Sequence, residues 1–158
     1  MTLRALSIFL IATTACTSMS TPPKASSLPT FAFSSLKGKP ITIVVLDQRA
    51  GERDPRWGTR IEEDLRKALV AAGADLTADA PTRFEVRLLR ARSDFEDRQW
   101  KGCVELTGRI AGSQNADAAS EACVAKANLW GKATADNVLR LAYQDAIIKL
   151  LSALDSRL

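Results

Sequence analysis

The residues of this 158-residue chain that could do chemistry are the cysteines Cys16, Cys103 and Cys123, the acids Asp94, Glu96 and Asp97, and the charged pair Asp47 and Arg49. There is no histidine. That removes the commonest general base, the Ser-His and Cys-His nucleophile pairs and the commonest zinc ligand. Two thiols without histidine fall short of four soft ligands, so neither a metal nor a cofactor is expected. Asp94, Glu96 and Asp97 could pair as acid and base for glycoside hydrolysis. They stand among Arg92 and Arg98 in a stretch that reads as a hairpin connection, where carboxylates are ordinarily solvated. Ser34-Ser35 and Lys37-Gly38-Lys39 match neither a nucleophile elbow nor a phosphate loop. Asp47 and Arg49, two apart, would share one strand face and could make a small charge site at a sheet edge. A solvated strand end is the expected outcome. With no compact catalytic constellation, a binding module is expected and not an enzyme. A hydrolase would need carboxylates that converge only in the fold.

Cys16 closes a leader. Arg4 is the only charge before it, and the apolar run 5–12 is shorter than the about 20 residues that span a bilayer. A short basic region, a short apolar region and small residues before a cut site make residues 1–15 a signal peptide. Thr13-Thr14-Ala15-Cys16 resembles the lipobox of bacterial lipoproteins, with Thr13 in place of the usual aliphatic residue. The resemblance implies cleavage after Ala15 and a diacylated, palmitate-bearing Cys16. Each buried methylene would add about 0.8 kcal/mol of membrane affinity. Residues 17 and 18 are Thr and Ser, not the Asp that retains enteric members of that family at the inner membrane. The resemblance therefore implies the outer membrane of a Gram-negative cell, facing the periplasm.

With Cys16 lipidated, Cys103 and Cys123 remain as an even pair in an oxidising compartment, and a disulfide between them is expected. Alternation argues the other way. It puts Cys103 opposite the inward Val104 and Leu106, yet puts Cys123 among an inward Ala125 and Leu129. Directly opposed strand residues share a face, so the bond requires a bulge or a different inward set for the last strand.

Residues 16–39 are rich in Ser, Thr and Pro and read as a flexible tether, with Phe31 and Phe33 near its end suited to a short edge strand or a docked segment. Residues 40–158 read as a single α/β domain. About 140 residues remain without the leader, enough for one core. The formal charge of +4, less Arg4, is too small to suggest a nucleic-acid partner.

The elements that would position these residues follow from periodicity. Pro40 to Leu46 is a β-branched, nearly wholly apolar run, the strongest strand signal in the chain. Asp54 and Pro55 suit a helix start, Trp57, Ile61, Leu65, Leu69 and Ala72 recur at helical spacing, and Gly73 suits the stop. Trp57, sharing that stripe, is expected in the core. A short strand is expected at 74–77. Alternating strands are expected over 82–90 and 100–110, and a weaker one over 121–130 after a loop over 112–120. A last helix from about Ala135 to Leu154, capped by Thr134, buries Leu139, Tyr143, Ala146, Ile147, Leu150, Leu151 and Leu154. The order β-α-(β)-β-β-β-α predicts an α+β fold: a four-stranded, mostly antiparallel sheet with both helices on one face. The other face would carry Arg83, Glu85, Arg87, Glu105, Thr107 and Arg109, a candidate partner-binding surface.

From Ile41 to Arg49 the chain resembles YajG-type bacterial lipoproteins. Those also carry a lipobox, a polar tether, a first strand ending in Asp-x-Arg (here Asp47-Gln48-Arg49) and an amphipathic helix ending in Gly (here Gly73). Ala142-Tyr143-Gln144-Asp145-Ala146-Ile147-Ile148 is similar to that family's last helix. The resemblance implies a membrane-anchored, non-catalytic envelope binding or assembly module whose partner is an envelope protein, peptidoglycan or lipid. The layout is also similar to the lipopolysaccharide-assembly lipoprotein, which implies an accessory role in lipid transport as the alternative.

Overall fold

The run Ile41-Thr42-Ile43-Val44-Val45 does form the strand its β-branching favours, β1 (Pro40–Asp47). This computed structural model describes residues 21–23, 27–51, 53–112, 115–128 and 134–158. The leader, Cys16 and residues 129–133 lie outside the described residues. After β1 come helix α1 (Arg56–Ala71) and the two-residue strand β2 (Asp75–Leu76). The long strands β3 (Thr82–Glu96), β4 (Gln99–Ala111) and β5 (Ala116–Ala127) precede helix α2 (Ala135–Asp155).

The architecture is α+β, as expected, but the sheet has five strands in the order β2-β1-β3-β4-β5. Four strands in a mostly antiparallel sheet were expected. β1 instead runs parallel to both of its neighbours, and only β3-β4-β5 is an antiparallel meander. The reason is local. α1 returns the chain to the start of β1, so β2 must run parallel to it. β2 then stops after two residues, and residues 77–81 carry the chain round the start of β1 to its other side. Thr42 fastens that passage: its hydroxyl bonds the Thr77 and Ala78 carbonyls at 3.1 Å and accepts the Ala80 N–H at 2.7 Å.

The strands outrun their expected ends. Residues 90–99 are not a loop connection. β3 continues to Glu96, and only Asp97 and Arg98, at φ 49° and 60°, make the turn. Two successive left-handed residues match the right-handed twist of a hairpin. A register shift between Leu88 and Arg90 moves Ala91 and Ser93 onto the buried face. β5 begins at Ala116, inside the expected loop, and buries Ala116, Ala118, Ser120 and Ala122.

Both helices cover one face. α1 is closed by Gly73 at φ 83°, with Gly73 N–H on Val70 O and Ala74 N–H on Leu69 O. This is a double carbonyl cap that a left-handed residue permits. At its start the expected Asp54 cap takes another form: the helix proper opens after Pro55, and the Asp54 carboxylate accepts the Arg56 N–H at 3.0 Å. α2 is capped by Thr134, whose hydroxyl accepts the Asn137 N–H at 3.2 Å. α2 lies against the sheet at Gly102, where an added Cβ would come 2.8 Å from Leu139 N. No helix among the described residues is long and apolar enough to cross a membrane.

Between the helices lies a segment read as the end of the tether. It is docked, not free, and the chain already lies against α1 at Pro22 and Pro23, the latter buried. Phe31, Phe33 and Leu36 are buried in the core, with a single 3-10 turn over Ser34–Leu36. Phe33 meets Phe84 edge-on at 6.0 Å between centroids. Asp155 of α2 accepts the Phe33 N–H at 2.7 Å and the Ala32 N–H at 3.2 Å, holding Phe33 at φ 35°. Three large apolar side chains in six residues supply the burial that a purely Ser/Thr/Pro segment would lack.

Candidate functional site

Asp47 and Arg49 are not a solvated strand end. Arg49 is 4% exposed, and its guanidinium grips Asp47 in a fork, Nε on Oδ1 at 2.9 Å and Nη2 on Oδ2 at 2.6 Å. Nη2 also reaches the Asp54 carbonyl at 3.3 Å, and the guanidinium lies 5.7 Å from the centre of the Trp57 ring. A cation over an indole face adds electrostatic attraction to the packing. The Arg49 hydrogen bonds hold the Asp47 carboxyl below its ordinary value of 3.8. Arg49 thus ties the end of β1 to the start of α1. It is a structural clamp: among the described residues its Nη1 has no hydrogen-bond partner and is sealed from solvent.

Trp57 joins this clamp to a second polar cluster inside the core. Its ring meets Tyr143 edge-on at 5.5 Å between centroids. The Tyr143 hydroxyl donates to Asp64 Oδ2 at 2.9 Å, and Arg60 donates to the same carboxylate through Nε at 3.1 Å and through Nη2. Asp64 is wholly buried and Arg60 nearly so. Burial works against the Arg60 charge, but the Asp64 carboxylate more than offsets it and the pKa lies above its ordinary value. Burial, reinforced by the Asp64 charge, pushes the Tyr143 phenol well above its ordinary 10.0. A buried carboxylate held by a guanidinium and a phenol is a satisfied network. It crosses from α1 to α2 and presents no nucleophile to solvent.

The acids Asp94, Glu96 and Asp97 do not converge. Asp94 pairs with Arg92 at 3.4 Å, while Glu96 and Asp97 are exposed at the hairpin end. Among the described residues, no group of His, Cys, Asp and Glu could hold a metal ion.

The face of the sheet turned away from the helices is open. Register puts Glu85 opposite Arg109, Arg87 opposite Thr107 and Arg90 opposite Glu105. Arg83, Glu85, Arg87, Glu105 and Arg109 therefore share that face, as expected. Arg87 pairs with Glu85 at 2.6 Å and Arg109 with Asp117 at 3.6 Å, both arginines remaining about half exposed. Beside them is an open groove of about 450 Å³ lined by Glu85, Arg87, Thr107, Arg109, Asp117 and Arg157. Arg157, past the end of α2, was not expected here; it reaches the sheet by donating to the Asp117 carbonyl. Arg90 bridges Glu105 at 3.4 Å and also Glu121.

On the same face Cys103 and Cys123 are directly paired and disulfide-bonded, with 4.2 Å between Cα atoms. The conflict in the alternation resolves through the inward set of the last strand. Even-numbered residues of β5 face the helices, so Cys123, Ala125 and Ala127 point outward with Cys103. Ala-rich sequence carries no strong apolar alternation, which is why the inward set was misread.

No protein-family model matches the chain, and no curated protein matches it in sequence. Solved structures share its fold. Protein XCC0632 from Xanthomonas campestris, of the DUF330 family, superposes with a TM-score of 0.55 at 11% identity, covering 84% of this chain and 90% of that one. Lipoprotein GNA1162 from Neisseria meningitidis does so at 0.50 and 8% identity, over 72% and 99% of the two chains. A substituted form of PelC from Paraburkholderia phytofirmans, a dodecamer, superposes at 0.50 and 16% identity, over 84% and 95%. These likenesses concern the fold, which this chain therefore shares with bacterial lipoproteins.

Proposed function

We propose that this chain is a lipid-anchored, non-catalytic module of the bacterial envelope, of the YajG type. Its Cys16 is diacylated at the outer membrane, and its domain faces the periplasm. The open sheet face is its working surface. The observation that carries this reading is the asymmetry of the sheet: both helices and the Phe31–Leu36 segment cover one face, and the other presents Arg87, Arg109 and Arg157 around an open groove. Glu85 and Asp117 line the same groove, so the arginines outnumber the carboxylates there. Such a surface on rigid strands suits an acidic partner, because charge complementarity steers encounter and fixes register. Support for an envelope setting comes from the lipobox-like leader and from a fold also seen in a lipoprotein of Neisseria meningitidis.

The test is affinity capture of the intact lipoprotein from cross-linked envelopes, with wild type compared against an Arg87→Glu, Arg109→Glu double variant at matched salt. Both side chains are exposed, but a carboxylate at position 109 would stand opposite Glu85 and Asp117, so a loss of about 1 kcal/mol is expected, too small to unfold the domain and checked by circular dichroism. The variant is expected to lose the partner that wild type retains. Equal recovery by both would reject the open face as the binding surface. Intact-mass spectrometry of the membrane fraction tests the anchor: a chain that begins elsewhere than Cys16, or lacks acyl mass, would reject it.

A further inference from the structure

The disulfide that joins β4 to β5 lies on the open face, and its two sulfurs have unlike surroundings. Cys103 belongs to an inner strand and is 8% exposed, whereas Cys123 belongs to the edge strand and is exposed. Exchange requires a thiolate to reach one of the two sulfurs, so access decides which is attacked. The thiolate enters in line with the bond that breaks, and this bond joins neighbouring strands. Attack on Cys123 therefore comes from beyond β5, where among the described residues no further strand follows. Attack on Cys103 would have to come from over β3, whose Arg92 is its direct neighbour in register.

Charge makes the same choice. Register sets Arg92, Cys103 and Cys123 in one row across three strands. Lys101 and Glu105 flank Cys103 along β4 on the same face, with Asp94 opposite Lys101 and Arg90 opposite Glu105. Asp94 is paired with Arg92 and Glu105 with Arg90, each at 3.4 Å. Around Cys103, then, Arg90, Arg92 and Lys101 outnumber Asp94 and Glu105. The neighbours of Cys123 along β5 are Ala125 and Glu121, whose carboxylate is 3.8 Å from the Cys123 sulfur and is itself paired with Arg90. In an exchange the negative charge gathers on the entering and leaving sulfurs and least on the central one. A departing Cys103 thiolate meets the arginines, whereas a departing Cys123 thiolate would meet Glu121. The thiolate that is better stabilised leaves faster.

We propose that this disulfide is a thiol–disulfide exchange site of fixed polarity, at which an external thiolate attacks Cys123 Sγ and Cys103 leaves. The S–S bond breaks, a bond forms between the incoming sulfur and Cys123, and the electron pair departs with Cys103. A second thiolate then attacks the incoming sulfur, and Cys123 leaves. Two thiols are oxidised to one disulfide, the protein gains two electrons, and the protons of the two thiols end on Cys103 and Cys123. The second step is the slower, because Cys123 departs beside Glu121. The substrate class is a solvent-borne thiol that arrives from the sheet edge. Arg92 is a positioning residue: it acts on the leaving sulfur and not on the thiol.

The inference goes beyond the proposed function, since it needs neither a lipid anchor nor an acidic partner, and neither cysteine lines the groove. The test uses the full, oxidised chain in detergent at neutral pH, with reduced glutathione as the probe. Samples quenched in acid are mapped by mass spectrometry. Glutathione is expected on Cys123 at least about ten times as often as on Cys103, at a rate that rises linearly with its concentration. Arg92→Gln is expected to slow the first step about three-fold and Arg92→Glu about ten-fold, with Arg92→Lys close to wild type. Glutathione shared equally between the cysteines, or found mainly on Cys103, would overturn the proposal. So would a rate independent of glutathione concentration, which would mean that the sulfurs are reached only when the sheet opens. Equal rates in wild type and Arg92→Glu would remove the charge argument and the assigned polarity with it. Should the Arg92 variants not fold, the map and the concentration dependence of the wild-type chain decide alone. Arg87→Glu with Arg109→Glu lies outside the row and leaves the exchange rate unchanged, so failure of this proposal and failure of the working-face reading are distinguishable.

Discussion

Replacing Tyr143 by Phe removes one oxygen and nothing else. The ring would keep its edge contact with Trp57 and its place in the core. What is lost is the 2.9 Å donation to Asp64, a carboxylate with no exposed surface. A hydrogen bond to a charged group contributes about 1.5–3 kcal/mol, and no water is at hand to replace it at a fully buried site. Arg60 continues to hold Asp64, which keeps the loss below the about 3–5 kcal/mol of an orphaned buried charge. The expected destabilisation is therefore about 2 kcal/mol, a fall in Tm of about 5–8 °C for a domain of this size. Urea unfolding followed by tryptophan fluorescence measures it, and an unchanged dependence on urea would show that the folded state is otherwise intact. A double-mutant cycle with Asp64→Asn should return a coupling of about 1–2 kcal/mol between the two sites. A change below about 0.5 kcal/mol in the single variant would refute the reasoning, because the phenol would then contribute no more than a surface group.

The same phenol makes a spectroscopic prediction, since Tyr143 is the only tyrosine. Its folded pKa is raised, so its contribution is complete below pH 10.0 and declines above it, and tyrosinate absorbance should appear only as the protein unfolds. Asp47 behaves in the opposite sense. Its folded pKa is depressed, so the stability it contributes is present above pH 3.8 and is lost as pH falls through the folded value. The stability difference between wild type and Asp47→Asn should therefore shrink below pH 3.8. Gly102→Ala should cost about 1–3 kcal/mol by forcing α2 off the sheet, as thermal melts of the two proteins would show. Reducing the Cys103–Cys123 bond, which closes a separation of 20 residues, should cost about 3 kcal/mol through loop-closure entropy, measured by urea unfolding with and without reductant.

The helices were legible because their stripes are strongly apolar and their ends carry Thr134 and Gly73. Strand lengths were not, because Arg90 to Glu96 alternates between buried Ala91 or Ser93 and charged neighbours, and small buried residues give little hydropathic contrast. Parallel pairing of β1 was hidden for another reason: it depends on where residues 77–81 pass, which periodicity does not encode. The Arg49 clamp was missed because a charged tripeptide at a strand end ordinarily meets water, and burial by Trp57 is a tertiary fact. Arg60 and Asp64 could have been found. They fall between Trp57, Ile61 and Leu65 on the same helical stripe, and a charge of each sign four apart on an apolar face signals a buried pair.

The docking of Phe31, Phe33 and Leu36 changes the geometry of any anchor at Cys16. Were the chain free until Pro40, the leash from Cys16 would extend to at most about 80 Å. Because Pro22 and Pro23 already lie beside Arg56, Thr59 and Arg60 of α1, and Gln144 holds the Ser27 carbonyl at 3.1 Å, the leash contour falls to about 20 Å. It also leaves the domain from the helix layer. A bilayer joined through a lipid at Cys16 would then be reached from the helix side, with the arginine-bearing sheet face the side farther from it. On the anchor proposed above, the domain would be less a tethered ball than a bracket, mounted by its back.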